Sequence, residues 1–185
     1  MIYSVFGGIP YYNRLVDDSK SVKENIINTL FCFMQKKSLS DITVTELVKG
    51  AGVARASFYR NYDSKEDVLV TLIRDVLEMF RNQMKEDPAG LYSYDNVVLS
   101  FSYFQKYRKY ILDLYHSGFA MAILEEINHF HESIEGTMPS SSIEKYKLYM
   151  YTGALFNMAI VWLSEENPVD AADIASFFFQ KIKNI

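Results

Sequence analysis

The segment VTELVKGAGVARASFYRNYDSKEDV, residues 44–68, decides the fold. Just before it, Thr43 opens a Thr-Val-Thr-Glu pattern ending at Glu46, in which hydroxyl and carboxylate can each take an otherwise unpaired amide at a helix start. Val44, Leu47, Val48 and Ala51 then recur at three- and four-residue spacing, one narrow apolar face on scarcely two turns. Gly50-Ala51-Gly52 is expected to stop this helix, because glycine accepts the backbone angles of a sharp turn. After Val53 a second short helix sets Phe58 and Tyr62 one turn apart on an inward face. At about 100° per residue its opposite side shows Ala56, Ser57 and Arg60, flanked by Arg55 and Tyr59. Ser64 is a good N-cap for a longer helix with Glu66 and Asp67 in its first turn and Val68, Leu69, Leu72, Ile73, Val76, Leu77 and Phe80 along one stripe. Two helices too short to stand alone, joined by a glycine turn and braced by a longer one, read as a helix-turn-helix.

Working outward to the N-terminal side, Asp17, Asp18 and Ser19 begin a helix with Val22, Ile26, Leu30 and Met34 four apart and Ile27 and Phe31 beside them. Lys36 and Lys37 close it, and Cys32 is expected to pack inside as a small apolar residue. Residues 1–16, MIYSVFGGIPYYNRLV, lack the basic start and continuous apolar run of a secretory signal and read as an irregular aromatic arm. On the C-terminal side, Asp87-Pro-Ala-Gly90 precedes five further helices, near 93–106, 108–116, 118–134, 141–166 and 170–183, broken at Gly118, at 136–142 and at Asn167-Pro168. The expectation is an all-α chain of about nine helices: the arm 1–16, a helix-turn-helix domain 17–64, and a helical body 65–185 for dimerisation and effector binding.

The chain carries a net charge of −4, but unevenly. Residues 1–65 hold nine Lys and Arg against six Asp and Glu, +3, and the remainder ten against seventeen, −7. A basic head on an acidic body implies that only the head meets an anionic partner. The outward side of the second short helix has the inventory for a DNA major groove: arginine bonds two acceptors on guanine, small residues permit close approach, and hydroxyls reach phosphate. Lys65 adds charge at a helix N-terminus, where backbone amides already favour an anion.

Other function classes find less support. An apolar fraction of 49% is enough for a packed core, and a lone cysteine forms no internal disulfide, so the default compartment is the cytoplasm. The longest uncharged run, Leu148–Ser164, is shorter than the ~20 apolar residues a membrane span needs. Neither a nucleophile elbow nor a phosphate-cradling glycine loop is present. Glu126-Ile-Asn-His129 has the Glu-x-x-His spacing of carboxylate di-metal sites without the second copy they require, and both His129 and His131 are expected at the surface. No catalytic residue, metal or cofactor is expected, and the chain is not read as an enzyme.

Ile42-Thr43-Val44, Glu46-Leu47, Ala51-Gly52-Val53, Ser57-Phe58-Tyr59, Tyr62 and Ser64-Lys65-Glu66 together resemble the DNA-binding domain of the TetR/AcrR family of transcriptional regulators, over residues 19–75 or so. The resemblance implies an all-α homodimer whose short third helix reads a palindromic operator, with a variable C-terminal domain that usually binds a small effector. Carried over position by position, it implies that Arg55, Ala56, Ser57 and Arg60 face the bases while Thr43, Tyr59 and Lys65 grip phosphates. Two positions depart from the family: Ala54 stands where a serine or threonine cap is usual, and Ala56 where glycine is frequent. The missing cap should cost about 1 kcal/mol of local helix stability. Residues 149–175 resemble one subgroup, which includes a regulator of dihydroxyacetone kinase operons. That cousin is an activator working with a protein co-regulator, so a repressor is the expectation here and an activator of the same fold, working with a protein co-regulator, the alternative.

In the body, Leu148–Leu163 offers more apolar surface than its own domain easily covers, and pairing the last two helices with their copies would bury the excess in a four-helix bundle. The dimer face is expected at Leu155, Ala159, Trp162, Ile174, Phe177, Phe178 and Ile182. Two reading helices would then lie one DNA turn, roughly 34 Å, apart. An apolar or aromatic effector would sit among Tyr103, Phe104, Tyr107, Tyr110, Tyr115, Phe119, Met121, Phe156 and Trp162, unless those side chains simply fill a core. The alternative from another class is an interaction protein that has lost specific DNA binding.

Overall fold

The structure is a computed structural model that describes residues 18–87, 90–136 and 142–182, with side chains from residue 22 onward. The expected arm, residues 1–16, lies outside the described residues. The described residues are all-α, as expected: α1 Asp18–Met34, α2 Val44–Ala51, α3 Arg55–Asn61, α4 Lys65–Arg81, α5 Tyr94–Lys106, α6 Arg108–Leu114, α7 Ala120–Glu135, α8 Ile143–Ser164 and α9 Ala171–Ile182. They form two compact units, divided between Thr71 and Leu72 within α4.

The core of the first unit follows from the apolar spacing. Ile26, Leu30 and Phe31 of α1, Leu47 of α2, Phe58 of α3 and Val68 and Leu69 of α4 are all buried. Gly50 has a different part from the expected one. The helix runs through it to Ala51, and a Cβ there would meet Phe33 Cζ and Thr29 Cγ2 of α1, each at 2.8 Å, so its bareness lets α1 and α2 approach. Cys32 is exposed, contrary to expectation, because one step past Phe31 turns it about 100° out of the buried stripe.

In the second unit α5 lies along α9, and α7 against α8. Phe101 is the hub, with Trp162 and Phe178 edge-on, both at 5.7 Å between centroids. Their polar atoms are satisfied: Trp162 Nε1 donates to the Val169 carbonyl at 2.9 Å and Tyr151 Oη to that of Leu91 at 3.0 Å. This packing corrects the expected dimer face. Leu155, Ala159, Trp162 and Phe178 are buried within the unit, so none is available to a partner, while Ile174 and Ile182 are partly covered by the same core and Phe177 is 50% exposed. The large apolar and aromatic residues that α8 leaves outside are Ile143, Tyr146, Tyr149, Met150 and Val161.

The break expected at Gly118 is a kink within Tyr115–Phe119, between α6 and α7, where Gly118 leaves the helical range at φ +82°. His131 is buried rather than at the surface; its Nδ1 lies 2.7 Å from Thr152 Oγ1. Since that hydroxyl donates to the Leu148 carbonyl at 3.0 Å, the ring donates from Nδ1, and burial pushes its pKa down to about 4. His116 and His129 are exposed. Among the described residues no helix is long and apolar enough to cross a membrane.

Candidate nucleic-acid interface

Each end of α2 is fixed by the chemistry its sequence suggested. Thr43 Oγ1 accepts the Glu46 amide at 3.1 Å, and Glu46 also takes the Lys37 ammonium at 2.6 Å, which with the Thr43 backbone contact holds its carboxyl below the usual range. At the other end Gly52 sits at φ +66°, letting the Val53 amide reach back to the Val48 carbonyl at 3.0 Å. The turn therefore rests on Gly52.

The inward face of α3 is Phe58, with Tyr62 just beyond the helix 5.8 Å away between centroids; both are buried. That anchoring leaves Arg55, Ala56, Tyr59 and Arg60 exposed and Ser57 half-covered, the disposition that helical spacing predicted. Ala54 is the N-cap, in extended conformation, and its side chain caps nothing. The exposed side also draws in a residue of α2 absent from the expected set: Thr45 Oγ1 accepts from Arg55 Nη1 at 3.4 Å. Arg55 Nη2 donates to Tyr59 Oη, also at 3.4 Å, and the guanidinium lies 5.5 Å from the centre of the Tyr59 ring. Helical spacing places Thr45 outward on α2, but its meeting with Arg55, ten residues on, depends on how α2 and α3 cross.

Thr43 is exposed and doubles as the α2 cap. Lys65 corrects the expectation of a phosphate grip. Its Nζ donates to the carbonyls of Leu39, Ser40 and Ile42 at 2.6, 3.1 and 2.7 Å, so all three of its hydrogens face the fold. The N-terminus of α4 is capped by Ser64 Oγ, which accepts the Asp67 amide at 3.1 Å.

The expected effector residues divide. Tyr103, Tyr107, Phe156 and Trp162 are buried, and Phe104, Tyr110 and Phe119 half-buried. Tyr115, on the kinked segment, and Met121, in the first turn of α7, are exposed, Met121 by 63%, so neither lines an enclosed site. Tyr103 Oη donates to the Met79 carbonyl at 3.1 Å, and Trp162 belongs to the core. The buried Tyr107 hydroxyl has no hydrogen-bond partner among the described residues, and burial, then the charge of Tyr103, pushes its pKa up to about 12. Glu126, read for metal spacing, is instead clasped by Arg74 Nε and Nη2, both at 2.8 Å.

Residues 31–72 match the family described as bacterial regulatory proteins, tetR family. The chain is similar to the HTH-type transcriptional regulator EthR of Mycobacterium tuberculosis, 39% identical over 67 residues that cover 35% of this chain and 31% of that regulator's length. Among solved structures it resembles a TetR transcriptional regulator from Streptococcus agalactiae, with a TM-score of 0.62 and 20% identity over 89% of this chain and 94% of that one. It also resembles the dihydroxyacetone kinase operon activator DhaS, with a TM-score of 0.54 and 14% identity over 88% and 94% of the two chains. At such identities the structural likeness carries the fold alone. The matched residues 31–72 take in the capped, glycine-turned helix pair, so the similarity to the tetR family of bacterial regulatory proteins rests on that part of the chain.

Proposed function

We propose that the chain is a DNA-binding transcriptional regulator that occupies a palindromic operator as a homodimer, represses from it, and is released by a small apolar or aromatic effector. The observation that carries this reading is the two-sidedness of α3: Phe58 fixes it to the core while Arg55, Ala56, Tyr59 and Arg60 stand in solvent together. Arg55, Ala56, Ser57 and Arg60 meet bases, Thr43 meets phosphate, and Tyr59 flanks them. A seven-residue helix spans only a half-site, which is why two copies are needed. The proposed dimer face is the exposed apolar surface of α8 and α9, which includes Ile143, Tyr146, Tyr149, Met150, Val161 and Phe177. The buried Tyr107 hydroxyl supports an effector site near α6, since a buried O–H without a partner calls for an acceptor.

Selection of bound sequences from a random duplex library with the full chain, followed by fluorescence anisotropy, tests the reading. An enriched inverted repeat bound by two chains is expected; equal affinity for that repeat and for random duplex overturns it. A fold neighbour named as an operon activator supports activation as the second reading. Deleting the gene separates the two, because target transcripts rise after loss of a repressor and fall after loss of an activator.

A further inference from the structure

We propose that Tyr59 and Thr45 are positioning residues that hold the Arg55 guanidinium for reading one guanine in the major groove, Tyr59 acting through Arg55 rather than on phosphate. The inference rests on the DNA-binding reading above and adds to it how one base is read.

Three contacts converge on one side chain. The Arg55 guanidinium carbon lies 5.5 Å from the centre of the Tyr59 ring, where the negative π face attracts a cation. Its Nη2 faces Tyr59 Oη and its Nη1 faces Thr45 Oγ1, each at 3.4 Å, so the plane is restrained from both sides, by α3 itself and by α2. The ring has its own support. Tyr59 sits edge-on to Phe58 at 5.3 Å, and Phe58 is fully buried. A line of contact therefore runs from the core of the first unit through two rings to a charged group in solvent.

The hydrogen count permits reading. A guanidinium carries five N–H donors, and these contacts engage one on each Nη. The Nε–H and one hydrogen on each Nη remain, more than the two that guanine O6 and N7 require. Arginine otherwise moves among many rotamers, and a planar group already held in place discriminates better because less order is imposed on binding.

The test uses the full chain and the duplex selected above. Anisotropy measures affinity for that duplex and for each single-base substitution of it, with wild type, Arg55→Ala, Tyr59→Leu, Tyr59→Phe, Thr45→Val, and each of the last three combined with Arg55→Ala. Arg55→Ala should erase preference at one base pair. Tyr59→Leu should reduce preference at that same base pair on the order of tenfold, and should change nothing further once Arg55 is alanine. Tyr59→Phe, which keeps the ring, should retain most of the preference, and Thr45→Val should lose part of it. Unchanged melting temperatures are expected, since all three side chains are exposed. Tyr59→Leu weakening every duplex alike, additively with Arg55→Ala, would place the tyrosine on phosphate and overturn the inference while leaving the regulator reading intact. Failure to enrich any sequence would remove both.

Discussion

Lys65 and His131 are the residues whose surroundings most change what they can do. The ammonium of Lys65 meets three carbonyls from residues 39–42, and its side chain is only 15% exposed. Lys65→Met keeps the aliphatic stem but strands those acceptors, which should lower unfolding free energy by about 2 kcal/mol, read from urea midpoints. The salt dependence of DNA binding should not change, whereas loss of a phosphate contact would reduce its slope by roughly one. The sequence places Lys65 correctly at a helix start; its acceptors lie more than 20 positions upstream, beyond any local pattern. His131 is a case where the pattern was available. Ile123, Ile127 and Phe130 make the buried stripe of α7, and helical spacing continues it to position 131. Its proton balance gives a directed prediction. The native ring titrates near 4 and the unfolded one near 6.5, so the unfolded chain takes up the proton first as pH falls. Stability should be full above about pH 6.5 and decline toward pH 4, by on the order of 3 kcal/mol in total. His131→Gln should flatten that acid limb in urea titrations at pH 7.5 and pH 5; parallel curves for the two chains would assign the limb to other groups.

At the scale of elements, α3 has little support from its own sequence: seven residues, an uncapped start at Ala54, and Phe58 as its one buried residue. Ala54 already has the extended backbone of a cap, φ −70° and ψ 142°, and is exposed, so a serine there needs only to turn its hydroxyl toward the amides of the first turn. Ala54→Ser should therefore stabilise the first unit by about 1 kcal/mol, raising the melting temperature by a few degrees and slowing amide exchange in α3 most of all. An unchanged exchange rate would mean that packing of Phe58, not the missing cap, limits the helix. The helix-turn-helix was legible because each of its boundaries is local chemistry: Thr43, Gly52 and Ser64 act on amides or torsions within a few residues. Gly50 is illegible in the sequence for the opposite reason. Its part is set by Thr29 and Phe33 on another helix, and a glycine next to a glycine turn carries no mark of which one makes the turn.

For the whole molecule the informative failure is α8. Its apolar residues lie nearly all round, so periodicity cannot say which side faces the core, and the side first assigned to a partner, Leu155, Ala159 and Trp162, is the one packed beneath α5 and α9. What remains outside includes Ile143, Tyr146 and Met150, three and four apart, and Val161 eleven residues on, about three turns along the same face, and Gly153, within the same helix, has open space where a Cβ would be. Val161 is 58% exposed and Phe177 of α9 50%, far more than side chains of that kind show in a packed interior. If two chains meet on this face, a carboxylate at either position would have to leave water without a partner charge, a cost that readily exceeds the gain from one apolar contact. The double substitution Val161→Glu with Phe177→Glu should thus reduce the light-scattering mass from twice 21.4 kDa to 21.4 kDa. It should leave the circular dichroism of the chain unchanged, because neither residue belongs to the core. Leu155→Glu is the contrasting control: buried to 2% exposure, it should unfold the body rather than separate two folded copies. The separated chains should still bind random duplex through their basic heads but lose the selected inverted repeat, since each α3 would then hold its half-site alone. A dimer that survives both glutamates would move the seam off α8 and α9 altogether.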